Sequence, residues 1–196
     1  MKKIIILISF FVIVNTVFAQ AEATDSNKKD LWWFNMGFGK GGMFGGDLDN
    51  AKKSGHEINS LSLLASSSFY TPQIGFPITV RTAATAEQVM MFTSDIEYIY
   101  DYGVLIGQMH KTRWSRIVYS AGISTVKGMY IYGLEDTSNE TIWKYKSYET
   151  IGIPLQVELI FTPIKYIGVG ITGYGNLNLK RSFWGAAVCF QFGVMN

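Results

Sequence analysis

Two histidines are the candidates for acid–base chemistry in this chain. A hydrolase of the Ser-His-carboxylate type, such as a lipid A-modifying enzyme at the rim of a barrel, needs its three side chains within hydrogen-bond reach. His56 has Ser54 and Glu57 as sequence neighbours, whereas His110 falls in a predicted turn. Neither setting has the H-x-S pattern expected of deacylase barrels. We therefore expect no catalysis, and His56 is the histidine that the enzymatic alternative would use.

Two further segments resemble ligand-binding motifs. Residues 37–42 read Gly-Phe-Gly-Lys-Gly-Gly, which fits G-x-G-x-x-G. Dinucleotide binding at that motif requires a helix directly after it, to hold the pyrophosphate. No helical period follows, so we predict a flexible loop. Asp47, Asp49 and Asn50 carry oxygens that suit Ca²⁺, but the remaining EF-hand ligands are missing. We expect neither a cofactor nor a metal.

Charged and amide side chains alternate with apolar residues along three predicted strands. Arg81 lies on the third strand, Glu97 and Asp101 on the fourth, and Gln156 and Glu158 on the sixth. If these strands close into a barrel of eight, its interior is filled by side chains, and a charge there must be paired. We predict that Arg81 pairs with Glu97 or Asp101. The network would be structural rather than a path for ions or protons.

The strands that position these residues are predicted from period-two alternation of apolar with small or polar residues. In the clearest case Ile151, Ile153 and Leu155 alternate with Gly152 and Pro154. No helical period competes with this pattern. The eight predicted strands are Leu31–Lys40, Ile58–Tyr70, Phe76–Thr85, Asp95–Gln108, Ile117–Tyr132, Thr150–Phe161, Tyr166–Gly175 and Phe183–Gly193.

The predicted connections alternate between short and long. Residues 71–75, 109–116 and 162–165 are short gaps, and residues 41–57, 86–94, 133–149 and 176–182 are mostly longer and more polar. Short turns at one end and long loops at the other are typical of outer-membrane barrels. The long loops contain basic residues that could meet lipopolysaccharide phosphates, with specific ligand recognition left open: Lys52, Lys53, Lys144, Lys146, Lys180 and Arg181.

Aromatic residues collect near the predicted strand ends and predict two interfacial girdles. The first contains Trp32, Phe69, Tyr70, Phe76, Trp114, Phe161, Tyr166, Phe190 and Phe192. The second contains Tyr98, Tyr130, Tyr132, Tyr145, Tyr148, Tyr174 and Trp184.

The N-terminus has the pattern of an export signal. Lys2 and Lys3 precede an apolar run, and Val17-Phe18-Ala19 is a small-residue cleavage site. We predict removal of residues 1–19, a short tail over 20–30 and a barrel domain over 31–196. Without the two lysines, the 17 basic residues become 15 against 15 acidic ones. That balance indicates no nucleic-acid partner.

The last quarter of the chain resembles small exported outer-membrane β-barrel proteins of Gram-negative bacteria. The resemblance is carried by Thr150 to Leu155, Phe161-Thr162-Pro163, Gly168-Val169-Gly170, Tyr174 to Asn178 and Ser182-Phe183 through Gln191-Phe192-Gly193. It implies a place in the outer membrane and brings no catalytic residue or ligand.

We therefore expect an all-β, eight-stranded antiparallel up-and-down transmembrane barrel with a structural, adhesive or surface-binding role through its outer loops. The expected partners are outer-membrane lipids, lipopolysaccharide, the barrel assembly machinery during insertion, and an unknown loop ligand. Besides the rim enzyme, the other alternative is a soluble periplasmic β-barrel that binds a small apolar ligand. That barrel would bury its aliphatic faces inside and present many charges outside.

Overall fold

The computed structural model describes residues 29–44, 59–88, 96–137 and 140–194. They form the strands β1 Leu31–Phe44, β2 Asn59–Tyr70, β3 Pro77–Gln88, β4 Ile96–Lys111, β5 Ser115–Thr137, β6 Glu140–Ile164, β7 Ile167–Asn178 and β8 Ser182–Val194. Consecutive strands pair antiparallel, and β1 pairs with β8, so the sheet closes into a barrel. The predicted fold class is confirmed. Within the described ranges, no helix is long and apolar enough to cross a membrane.

The two faces of the sheet differ sharply in composition. Outward positions carry large apolar side chains, and Ile151 and Ile123 are 68% and 63% exposed. Inward positions are buried, and beside apolar side chains such as Trp33 and Ile99 they carry many polar and charged ones, among them Asn35, Thr79 and Gln191. An apolar outer face around a polar interior reverses the arrangement of a soluble protein. The soluble alternative, with its aliphatic faces inside, is therefore wrong about which face is buried.

Both termini of the barrel and three tight turns lie at one end, which we call the turn end. In the β2–β3 turn the amides of Ile74 and Gly75 donate to the carbonyl of Thr71, at 3.2 and 3.0 Å. Gly75 has a φ of +79°, a left-handed conformation that glycine adopts without a steric penalty. In the β4–β5 turn the amide of Ser115 donates to Oγ1 of Thr112 at 3.1 Å.

At the opposite end, the β5–β6 hairpin continues past its neighbours. Pairing of β5 with β4 reaches Met129, and pairing of β6 with β7 begins at Gly152. From Tyr130↔Lys146 to Thr137↔Glu140 the two strands pair with each other, and no third described strand flanks them. We call residues 130–137 and 140–151 the outer ribbon, and this end of the barrel the ribbon end.

The prediction of a loop over residues 133–149 is therefore wrong. A register shift between Ile131 and Gly133 interrupts the alternation, and a β-bulge of this kind hides the strand period in the sequence. Two other connections are shorter in the structure than the gaps predicted from the sequence, 176–182 and 109–116. The β7–β8 turn takes only residues 179–181, and the β4–β5 turn only residues 112–114.

The glycine-rich segment 37–42 belongs to β1, so its prediction as a flexible loop is wrong. Its glycines lie where β1 passes very close to β8. A Cβ added to Gly37 would lie 2.2 Å from Sγ of Cys189, and one added to Gly39 would lie 1.9 Å from the carbonyl oxygen of Ala186. The glycine spacing therefore reflects close strand packing rather than a phosphate cradle.

Candidate functional site

The lumen contains the five residues of the predicted charge network, Arg81, Glu97, Asp101, Gln156 and Glu158, arranged in three layers. In the central layer, Nη2 of Arg81 donates to Oδ2 of Asp101. Nη1 of Arg81 donates to the carbonyl oxygen of Leu155 at 2.9 Å. Nδ2 of Asn176 donates to the same Asp101 oxygen and to Oγ of Ser124, at 2.7 Å each. This layer joins β3, β4, β5, β6 and β7 across the interior.

The layer nearest the ribbon end is built on Arg181 and Glu97, whose Nη1 and Oε2 atoms are 2.6 Å apart. Arg181 comes from the β7–β8 turn, where Oδ1 of Asn178 accepts its backbone N–H at 2.7 Å. The expectation that Arg181 meets lipopolysaccharide from an outer loop is wrong, because its side chain is buried against Glu97. In the same region Oε1 of Glu87 accepts the backbone N–H of Met43 at 2.8 Å.

The layer nearest the turn end surrounds Glu158. Its Oε1 accepts a hydrogen bond from Gln156 at 2.7 Å, and its Oε2 accepts one from Gln191 at 2.6 Å. Arg116 donates to Oε1 of Gln191 and lies 4.0 Å from the centre of the Trp33 ring. Arg116 also attracts Glu158 electrostatically, so this layer, like the central one, sets one arginine against one carboxylate.

All five predicted site residues are buried inside the barrel: Arg81, Glu97, Asp101, Gln156 and Glu158. They belong to three separate layers rather than to one cluster. Arg81 lies with Asp101, while Glu97 lies with Arg181. The sequence analysis missed Arg116 and Arg181, since both were assigned to connections. Arg116 shares the inward phase of Ser120 and Ser124 on β5, and extending that alternation by two positions would have found it.

Several residues predicted for the aromatic girdles lie in the interior instead. Tyr70 and Tyr174 are buried, and the hydroxyl of Tyr174 donates to the carbonyl of Leu63 at 3.2 Å. A Cβ added to Gly128 would lie 2.7 Å from the Tyr148 ring, so this tyrosine covers a glycine of the neighbouring strand. The rings of Tyr148 and Tyr174 fill the space inside the barrel that Gly128 and Gly185 leave. Trp32 and Phe69 face outward and are exposed, as expected for a girdle.

Of the candidates for catalysis and metal binding, His110 is the one that lies among the described residues. His110 ends β4, where its Nε2 is 3.5 Å from the hydroxyl of Tyr119. His56, Asp47, Asp49 and Asn50 lie outside the described residues, as do the predicted export signal and most of the tail. In the part of the chain that the structure covers, no three His, Cys, Asp or Glu side chains converge as a metal site would require.

Comparison with solved structures identifies the fold class. The attachment invasion locus protein Ail of Yersinia pestis superposes with a TM-score of 0.52 at 12% identity, covering 84% of this chain and 100% of Ail. Neisserial surface protein A superposes with a TM-score of 0.57 at 10% identity, covering 84% of this chain and 99% of that one. No protein-family model and no curated protein sequence matches the chain. The chain therefore has the fold of the small eight-stranded outer-membrane β-barrels.

Proposed function

We propose that this protein is a non-catalytic barrel of the bacterial outer membrane that binds a partner at the cell surface through its outer ribbon. The observation that carries the proposal is the continuation of β5 and β6 beyond the closed sheet. A tilted strand of about 9–11 residues crosses a bilayer. β5 has 23 residues and β6 has 25, so both are much longer than the crossing requires.

The apolar outer face supports the membrane location. Large apolar side chains are exposed on all eight strands, for example Phe38 on β1, Val80 on β3 and Ile171 on β7. In water this surface would drive aggregation, whereas lipid acyl chains would cover it. By the usual orientation of such barrels, the turn end faces the periplasm and the ribbon end faces outward.

The ribbon has the features of a binding element. At its base the side chains of Tyr145, Lys146, Ser147 and Glu149 are exposed. Tyrosine side chains contribute large contact areas at low cost in conformational entropy. A two-stranded ribbon can also add a partner strand along its backbone edges. The names of the attachment invasion locus protein Ail and of neisserial surface protein A describe attachment and a surface location for those proteins. Both are in keeping with a surface-binding role.

The three charged layers of the lumen then serve stability rather than transport. Each arginine is next to a carboxylate or is attracted to one, and the carboxylates also accept hydrogen bonds from amide side chains or lie in fully buried ion pairs. Paired groups that fill a narrow interior cross-link the strands.

The test replaces residues 131–145 with Asn-Gly, a two-residue hairpin turn, between the paired residues Tyr130 and Lys146. The shortened protein should reach the outer membrane and migrate faster in SDS gels before boiling than after it, like the full-length protein. Cells that display the full-length protein should adhere to epithelial cells or to matrix glycoproteins. Cells that display the shortened protein should lose that adhesion. As a control, residues 72–75 of the β2–β3 turn are exchanged for another short turn. Equal adhesion by cells carrying the shortened and full-length proteins would overturn the surface-binding role.

A further inference from the structure

Among the described residues, one outward charge on the wall of the barrel has no carboxylate beside it. The charged side chains that face outward between the turn end and the ribbon, among the described residues, are Lys40 and Lys127. Lys127 and Glu149 face each other across β5 and β6, with Nζ and Oε1 3.4 Å apart. Within the described part of the chain, no carboxylate lies within ion-pair distance of Lys40.

Lys40 is surrounded by the apolar surface that we assign to the membrane. Phe38 and Phe44 lie on either side of it along β1, and they are 58% and 54% exposed. Directly opposite on β8 is Ala186, and Trp184 lies one outward position farther toward the ribbon end. Because Phe44 and Trp184 lie beyond Lys40, the lysine is within the apolar band rather than above it.

The immediate neighbours of Lys40 on the outer wall are two small residues and a tryptophan. Ala186 is small, and Gly42, the next outward residue of β1, has no side chain. The Trp184 indole lies against this glycine, since a Cβ added to Gly42 would be 2.9 Å from Nε1. Lys40 and Trp184, whose ammonium and indole N–H are both hydrogen-bond donors, thus occupy neighbouring outward positions on β1 and β8.

On the turn-end side of Lys40 an apolar groove opens on the outer wall, with a volume of about 590 Å³. That volume is within the range of about 300–1,000 Å³ seen for small-molecule sites. Its floor and walls include Met36, Phe38, Leu63, Ala65, Thr82 and Ala84. Small residues on β2 and β3 make the depression, and Phe38 separates it from Lys40.

We propose that Lys40 and this groove bind one phosphorylated glycolipid of the outer leaflet, with a phosphate on the Lys40 ammonium and an acyl chain in the groove. The inference rests on the proposed function, because it requires the ribbon end to face outward. A lysine in hydrocarbon is costly unless its ammonium reaches an anion or the interface, and its long aliphatic stem allows that reach. Lipid phosphates are the anions at that interface, and the Trp184 N–H is a second donor to the same group.

The test uses the full-length folded barrel in detergent, with native mass spectrometry to measure binding of bis-phosphorylated lipid A and of the same lipid after dephosphorylation. Lys40→Met keeps the stem and removes the charge, and we expect about tenfold weaker binding of the phosphorylated lipid, the equivalent of one charged hydrogen bond. Lys40→Arg should retain it. Lys127→Met is the matched control, because Lys127 is outward but already paired with Glu149.

A second variant tests the groove independently of the charge. Ala84→Phe fills the groove floor and should weaken binding of both lipid forms, while leaving the heat-dependent gel shift intact. Unchanged binding by both Lys40→Met and Ala84→Phe would overturn the site. The site would also be overturned if the unmodified protein were a dimer that Ala84→Phe dissociates, because a second copy of the chain would then occupy the groove. A protein that is soluble without detergent would instead overturn the proposed function itself, and it would do so before any lipid is added.

Discussion

Arg181 and Glu97 form a buried ion pair of 2.6 Å that joins the β7–β8 turn to β4 across the ribbon end of the lumen. The arginine side chain is 5% exposed and the glutamate is fully buried. The pair closes the interior directly below the outer ribbon. It thereby connects a turn that would otherwise be attached only through its own two strands.

Removing one partner of this pair should destabilise the barrel strongly. Arg181→Met leaves Glu97 buried without its cation, and we expect a loss of about 3–5 kcal/mol in the free energy of unfolding. Urea titration of the protein folded into lipid vesicles measures that loss. Lys180→Met, an exposed neighbour in the same turn, should cause no loss. If both variants unfolded at the same urea concentration, the pair would contribute nothing.

The central layer gives a second stability prediction. Arg81→Glu places two carboxylates against each other. The free energy of unfolding should therefore fall by at least as much as for a broken buried pair, about 3–5 kcal/mol, and the unfolding midpoint should fall with it. Combining it with Asp101→Arg restores opposite charges and should recover part of the loss, which a double-mutant cycle measures. An unchanged midpoint for Arg81→Glu alone would contradict the pairing.

The close approach of β1 to β8 predicts that a single methyl group impairs closure. Gly39→Ala puts a Cβ against the carbonyl oxygen of Ala186, a backbone atom that cannot rotate away. Overpacking of this kind costs about 1–3 kcal/mol. The measurement is the fraction of protein that shows the heat-dependent gel shift after refolding. Gly173→Ala is the control, because a Cβ there meets nothing within 4 Å, and it should fold like the unmodified protein.

Cys189 provides a probe of the closed lumen. Its side chain is fully buried and faces Gly37. A maleimide reagent should therefore label it only after unfolding, and we expect labelling of the folded protein to be slower by orders of magnitude. Mass spectrometry before and after boiling in SDS detects the difference. Rapid labelling of the folded protein would show that the seam between β1 and β8 opens.

The fold could be predicted from the sequence because each strand alternates between two environments. The period-two pattern sets the phase of a strand, and the inward phase then locates Arg81, Glu97 and Asp101 inside the barrel. It does not determine which pairs form, because pairing depends on register between strands. Register brings Arg181 to Glu97 and leaves Arg81 with Asp101.

The remaining errors share a physical cause, which is the interruption of alternation at strand ends. The β-bulge near Tyr132 shifts the alternation of β5, so the sequence does not reveal the strands of the outer ribbon. The glycines of residues 37–42 have no side chain that would distinguish inward from outward positions. Arg116 and Arg181 fall in predicted connections, 109–116 and 176–182, so the alternation assigns neither of them a face. Only the closed lumen shows that both side chains point inward.

The seam between β1 and β8 determines when this protein can fold. Its 13 residue pairs, from Trp32↔Val194 to Phe44↔Ser182, join the first strand to the last. No segment released early from the ribosome can complete the barrel, since β8, the closing partner of β1, follows the other seven strands in the chain. Until then the apolar outer faces must be shielded by other molecules, and contacts of such long sequence separation form slowly. Synthesis and folding are therefore separate events for this chain, and a truncation that removes only β8 would leave seven strands with two open edges.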